Sequence, residues 1–361
     1  MRIVHKGSLS GFCLLAAVLV FFTAPCKGAV YTWKGNGAEW AKNSHWYSTG
    51  VPTELDYVIF SANPREDPFV NANAAAAAIN FAAGVRTTTI SGTVYTLSIV
   101  LGMTNNSVNQ QIINVPLNLT GSQEWKAAAG DFSIGGSANL NGNMLTVSGD
   151  HDTTINGSIS GTGGIIKNGS GTLTLNGNNT FSGPVSINGG TVVLNSEGTI
   201  RNVLSISVNA GKLFLGGNGG WAESSAEVYL LGGDLEIGDQ SEGLGELQIS
   251  AHSRIKLKPG GAATILRFAG ANWSGGSLTI YGWSGQPGHP GTDDRIFFES
   301  KPNDMFLIYV TFAGFDPGGM VLDVGNSWEL VPVPETSDYA LMTGLALLIF
   351  SVHRRLALVN P

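Results

Sequence analysis

Five apolar positions, Leu173, Val192, Leu213, Leu235 and Ile255, follow one another at steps of 19, 21, 22 and 20 residues. Around each stands the same short pattern: an alternating strand, a small turn, a second alternating strand. It is clearest at residues 185–194, 206–215 and 228–237, where the turns carry Gly189-Gly190, Ala210-Gly211 and Gly232-Gly233. Alternation at period two sends one set of side chains to a buried face and the other to solvent. The glycines make tight reversals cheap because they reach φ > 0 without a steric cost. A fixed period near twenty, built only of strands and turns, predicts the coil of a β-solenoid, whose inner face is covered only when coils stack. A Greek-key sandwich would also show frequent turns, but no fixed long period. Residues 247–257 hold a fourth copy in which Ile249 and Ile255 are six apart rather than five, so a bulge or a longer turn is expected there.

Composition agrees with a turn-rich chain. Of 361 residues 50 are Gly, and only 12% are charged. The net charge of −7, with no basic stripe, excludes nucleic acid as a partner class. Both cysteines, Cys13 and Cys26, lie in the first 26 residues. Once that segment is removed, no disulfide or thiolate metal site can form.

The N terminus predicts export. Arg2, His5 and Lys6 precede an apolar run over residues 11–22, and Cys26 and Gly28 fit the −3 and −1 places of a cleavage site. Residues 1–28 are therefore expected to be a signal peptide handled by Sec-type export machinery. An uncleaved anchor and a lipoprotein formed at Cys26 are the weaker readings. Residues 29–63 hold Trp33, Trp40 and Trp46, expected to form a bulky N-terminal cap over the open end of the stack. The β-helix core is placed at 64–263, with its clearest repeats at 161–258, and residues 264–330 are read as closing strands and a C-terminal cap. The alanine-rich residues 71–78 are read as a helical turn or loop.

Residues 331–361 differ from the rest. Val331-Pro332-Val333-Pro334-Glu335 reads as an extended linker. A short apolar helix is expected over 339–352, followed by His353-Arg354-Arg355, a basic end that would stay cytoplasmic. Fourteen helical residues span ~21 Å, short of a ~30 Å hydrocarbon core.

Chemistry is sparse. Polysaccharide cleavage would need paired carboxylates facing one groove. The candidates are Asp150 and Asp152 around His151, then Asp234, Glu236 and Asp239, then Asp293 and Asp294. Asp234 and Glu236 share an outward strand face and have no basic neighbour in sequence. No nucleophile elbow, phosphate loop or zinc spacing occurs, so no catalytic residue, cofactor site or metal site is assigned. Trp33, Trp40, Trp46, Trp273 and Trp283 are the candidates for glycan contact.

The stretch 161–195 carries a family resemblance. Its Lys167-Asn168-Gly169-Ser170-Gly171-Thr172-Leu173-Thr174-Leu175, Asn179-Thr180-Phe181-Ser182-Gly183 and Gly189-Gly190-Thr191-Val192-Val193-Leu194 resemble the autotransporter-associated β-strand repeat. That resemblance implies an all-β, right-handed parallel β-helix that is exported. Autotransporters end in a membrane barrel, for which the residues after Ile308 leave no room. The tail resembles instead the PEP-CTERM protein-sorting signal, with Pro332, Pro334, Glu335, Arg354 and Arg355 as its signature, although no Pro follows Glu335. This implies transient membrane anchoring, processing by an exosortase-type enzyme, then a cell-surface or extracellular location. Three functions are consistent: a non-enzymatic surface or extracellular-matrix structural protein, in company with exopolysaccharide; an adhesin or glycan-binding β-helix; a polysaccharide lyase or hydrolase.

Overall fold

The computed structural model describes residues 28–334, apart from 62–63, 196–197, 217–224, 240 and 259–262. The signal peptide expected up to Lys27, the helix expected over 339–352 and the residues Glu335, Arg354 and Arg355 of the expected sorting signal lie outside the described residues. Among the described residues no helix is long and apolar enough to cross a membrane.

The chain is a parallel β-solenoid whose coils have three faces. Strands of the first face include Leu117–Leu119, Ala138–Asn139 and Ile159–Ser160; Glu242–Leu244, Ile265–Phe268 and Arg295–Phe298 take the same place in later coils. The second face runs from Gln123–Ala127 through Leu145–Gly149, Ile165–Lys167 and Val185–Ile187 to Ala271–Trp273. The third is an unbroken series of eleven strands from Thr89–Ser91 to Val310–Phe312.

Two early strands bend across faces one and two. Leu97–Asn105 pairs with Leu117–Leu119 through residues 97–99 and with Gln123–Ala127 through residues 102–105. The bend falls at Gly102, where φ is 119° and a Cβ would lie 1.9 Å from the Glu124 carbonyl oxygen. Only glycine tolerates both.

The register is the one that the spacing predicts. Leu173, Val192, Leu213, Leu235 and Ile255 lie side by side in successive strands. The same column continues to Thr153 and Phe132 on one side and to Ile280 and Phe312 on the other. The turn before Arg254 absorbs the extra residue of the fourth copy: Ser253 is buried there, and its hydroxyl accepts from the Gly232 N–H at 3.0 Å and donates to the Ala251 carbonyl at 3.2 Å. Each fully buried Leu or Ile in these columns contributes ~1.5–3 kcal/mol through loss of apolar surface from water.

Aromatic side chains fill the N-terminal end of the core. Trp33 packs on Phe60, Phe60 stacks on Phe81 at 5.0 Å, and Phe81 meets Phe132 edge-on at 6.0 Å. The alanine-rich segment is not a helical turn or loop; residues Ala74–Phe81 are an eight-residue strand. Alanine is a poor strand former alone. Here register decides, because the segment is held between Tyr57–Phe60 and Leu97–Asn105, with one register shift between Ala76 and Ala78.

Both ends of the stack are closed. At the N terminus the outer strand Val30–Thr32 is covered by the segment around Tyr47, whose N–H donates to the Thr32 carbonyl, and by the Ser48 hydroxyl on the Val30 carbonyl. At the C terminus the pairing reverses. Trp328–Pro332 runs antiparallel to Arg295–Phe298 and to Gly319–Asp323. Val331 and Pro332 are thus the buried end of a strand rather than a free linker. Covered ends remove the exposed edges that would otherwise recruit other strands.

Candidate functional surface

The five tryptophans expected as glycan contacts are placed first. Trp33, Trp40 and Trp46 are at most 2% exposed and pack face and edge on one another, with Trp33–Trp46 and Trp40–Trp46 centroids 4.8 and 4.9 Å apart. They are the N-terminal cap and present no free ring face. His45, packed edge-on against Trp33, is a buried turn residue, with Nδ1 2.9 Å from the Glu39 carbonyl. Trp283 is buried between Phe312 and Phe315. Trp273 is half-buried, covered on one face by Tyr309 at 4.3 Å with the rings parallel, and packed against the core. A sugar would have to displace protein to stack on Trp33, Trp40, Trp46 or Trp283.

The carboxylates are engaged in holding the coils. Asp152 Oδ1 accepts from the Thr172 N–H, and Asp150 Oδ1 accepts from the Ser170 hydroxyl, one coil on. Asp234 and Glu236 do have basic neighbours, across strands rather than along the sequence. Asp234 meets Arg254 Nε at 2.6 Å and Lys256 Nζ at 2.9 Å, and Glu236 meets Lys212 Nζ at 3.0 Å. Asp239 pairs with Lys258. Asp294 is buried and accepts from the N–H and hydroxyl of Thr264, and Asp293 accepts from the Ser284 hydroxyl. Each candidate carboxylate is thus tied to a cation, a hydroxyl or a backbone N–H. Among the described residues no group of three metal-ligating side chains comes together.

Lys167 is a charged group that spacing did not mark as buried. It stands in the inward column between Val147 and Ile187 and is 1% exposed. Its Nζ curls to the turn and donates to the carbonyls of Asn168 at 2.7 Å and Gly169 at 3.1 Å. Burial lowers its pKa below that of an ordinary lysine, against the opposing pull of Asp152 and Asp150.

A concave feature of the surface lies on the first face. Ala75, Ser98, Asn118, Asn139 and Ser160 stand directly beside one another in five successive strands. They floor a groove with a first hollow of about 380 Å³ and an adjoining one of about 460 Å³ that shares Asn73 and Ser98. Asn73, Thr96, Pro116 and Ser137, each just before one of those strands, form a wall, and Pro52, Thr53 and Glu54 close one end. Sequence reasoning missed this column. Its signal was present, because Ser98, Asn118, Asn139 and Ser160 recur at steps of 20, 21 and 21 residues, the same period as the core.

Residues 165–194 match the Passenger-associated-transport-repeat. That stretch contains Lys167 and the strands Ile165–Lys167, Thr172–Leu175, Val185–Ile187 and Thr191–Leu194, so the family repeat covers the second and third faces of two successive coils of this solenoid. Two curated relatives are autotransporters. The chain is 29% identical over 154 residues to the adhesin BmaC autotransporter of Brucella suis biovar 1, covering 40% of this chain and 4% of that protein. It is 32% identical over 122 residues to the Neisserial autotransporter lipoprotein NalP of Neisseria meningitidis serogroup B, covering 33% of this chain and 11% of that protein. The chain therefore spans a small fraction of either relative's length. No solved structure matches it.

Proposed function

We propose that this chain is an exported, surface-displayed β-solenoid of the autotransporter-passenger kind, whose work is structural presentation rather than catalysis. The observation that carries this reading is the repeat at residues 165–194, embedded in a parallel stack in which the candidate carboxylates are engaged by cations, hydroxyls or backbone N–H groups of the chain itself. The export signal at residues 1–28 and the sorting tail at 331–361, resembling PEP-CTERM, supply the route: translocation, brief anchoring, then removal by an exosortase-type enzyme. The test is antibody labelling of intact host cells, with a cytoplasmic marker as control. Labelling of unbroken cells supports the reading. Labelling only after lysis rejects it.

Adhesion is a second reading. It is favoured by the likeness to an autotransporter named as an adhesin and by the polar groove on the first face.

A further inference from the structure

We propose that the groove on the first face binds one strand of a neutral glycan, laid along the solenoid axis. The proposal takes from the reading above only that the chain works outside the cell. The floor column Ala75–Ser98–Asn118–Asn139–Ser160 is in register across five coils. Coils stack ~4.8 Å apart, so the column is ~19 Å long. That spacing is close to the length of one hexopyranose unit in an extended chain, so the column runs beside several successive sugars.

The lining is hydroxyls and carboxamides, groups that both donate and accept, as sugar hydroxyls do. Ser98, Asn118, Ser137 and Ser160 make no side-chain hydrogen bond to another described residue. Asn73 and Asn139 use only Oδ1, which accepts from the N–H of Thr96 and of Asn141. Polar columns elsewhere satisfy themselves: Asn209 donates to Asn188 and Asn188 to Asn168, while Asn176 donates to Asn156. In the groove column, concavity, register and unused hydrogen-bonding capacity coincide.

Charge and topology select the occupant. Glu54 is the one charged residue in the lining, so an acidic polymer would find no cation. An extended peptide binds best by pairing its backbone at a sheet edge, but this floor is a sheet face. With no aromatic ring in the lining, binding must come from many modest hydrogen bonds, which makes it weak per sugar and dependent on chain length.

The full chain is titrated by calorimetry with cellobiose through cellohexaose, with maltohexaose and mannohexaose, and with hexagalacturonate as the charged comparison. Saturable binding of a neutral hexasaccharide is expected, tightening with length and weakened about tenfold in the Ser98→Ala/Asn118→Ala double variant. Those two side chains bond to nothing else described, so the variant's melting temperature should match the parent's, keeping the comparison one of binding. The proposal is overturned if no neutral hexasaccharide saturates, if disaccharide and hexasaccharide bind alike, if hexagalacturonate binds tightest, or if the double variant binds as the parent does. A chain displayed outside the cell that fails these titrations loses this inference alone.

Discussion

The carboxylate of Glu329, fully buried, receives Arg295 through two guanidinium nitrogens, with Nε on Oε1 at 2.8 Å and Nη2 on Oε2. The Gly291 N–H adds a further bond to Oε1 at 2.8 Å. Glu329 belongs to the closing hairpin and Arg295 to the last parallel strand of the first face, so the pair ties the cap to the stack. Hydrogen bonding to Glu329 raises the Arg295 pKa, against the cost of its desolvation. Removing one partner leaves an uncompensated charge, whereas removing both leaves none. Arg295→Met is expected to destabilise by ~3–5 kcal/mol, and the double variant Arg295→Met/Glu329→Leu to recover a large part of that. Denaturant unfolding of both variants checks it; equal losses would refute the ion-pair interpretation.

Asp56 fastens the N-terminal end in the same manner. Burial alone would raise its pKa, but bonds from the Thr53 hydroxyl and the N–H groups of Ala29 and Thr53 outweigh it, and the net direction is down. A carboxyl with a lowered folded pKa adds stability above its unfolded value and loses it as pH falls through the folded one. Asp56→Asn should cost ~1–3 kcal/mol near neutrality, and that gap should shrink below about pH 4. Melting temperatures of both proteins across the acid range test this. A gap independent of pH would contradict it.

Lys167 gives a slope of the same sign in the alkaline range. Its folded pKa is lowered by burial, so between that value and the ordinary lysine pKa of ~10.4 the unfolded chain binds more protons. Stability from this site therefore rises with pH through that window and is lowest below it. Relative to a Lys167→Met variant, the parent should gain in melting temperature from neutrality to about pH 10. A constant difference would mean that Lys167 titrates as a solvated lysine.

Gly102 and Gly314 separate strain from clash. Both have positive φ, 119° and 91°, but a Cβ at Gly314 meets nothing within 4 Å, while at Gly102 it strikes the Glu124 carbonyl. Gly314→Ala is expected to cost about 1 kcal/mol and Gly102→Ala on the order of 3 kcal/mol or more. Equal costs in chemical denaturation would show that the Leu97–Asn105 bend is not fixed by close stacking.

What the sequence disclosed follows from what repeats. Leu173, Val192, Leu213, Leu235 and Ile255 could be aligned because every coil needs an apolar residue at that place, and their register was found as spaced. Contacts that occur once per coil pair were hidden. Asp234 meets cations 20 and 22 residues away, at Arg254 and Lys256, a separation at which no local pattern looks for a partner. The alanines at 74–78 are strand by virtue of neighbours on either side, which propensity cannot anticipate. The tryptophans suited either a cap or a platform until burial placed Trp33, Trp40, Trp46 and Trp283 inside. The groove column was periodic but polar, and outward polar residues ordinarily signal no more than solvent.

Export and display are tested most directly by the intact mass of the chain recovered from the surface or medium of its native host. A product beginning near Ala29 and ending near Glu335 is expected. A chain retaining residues 1–28 and found only inside the cell would contradict it.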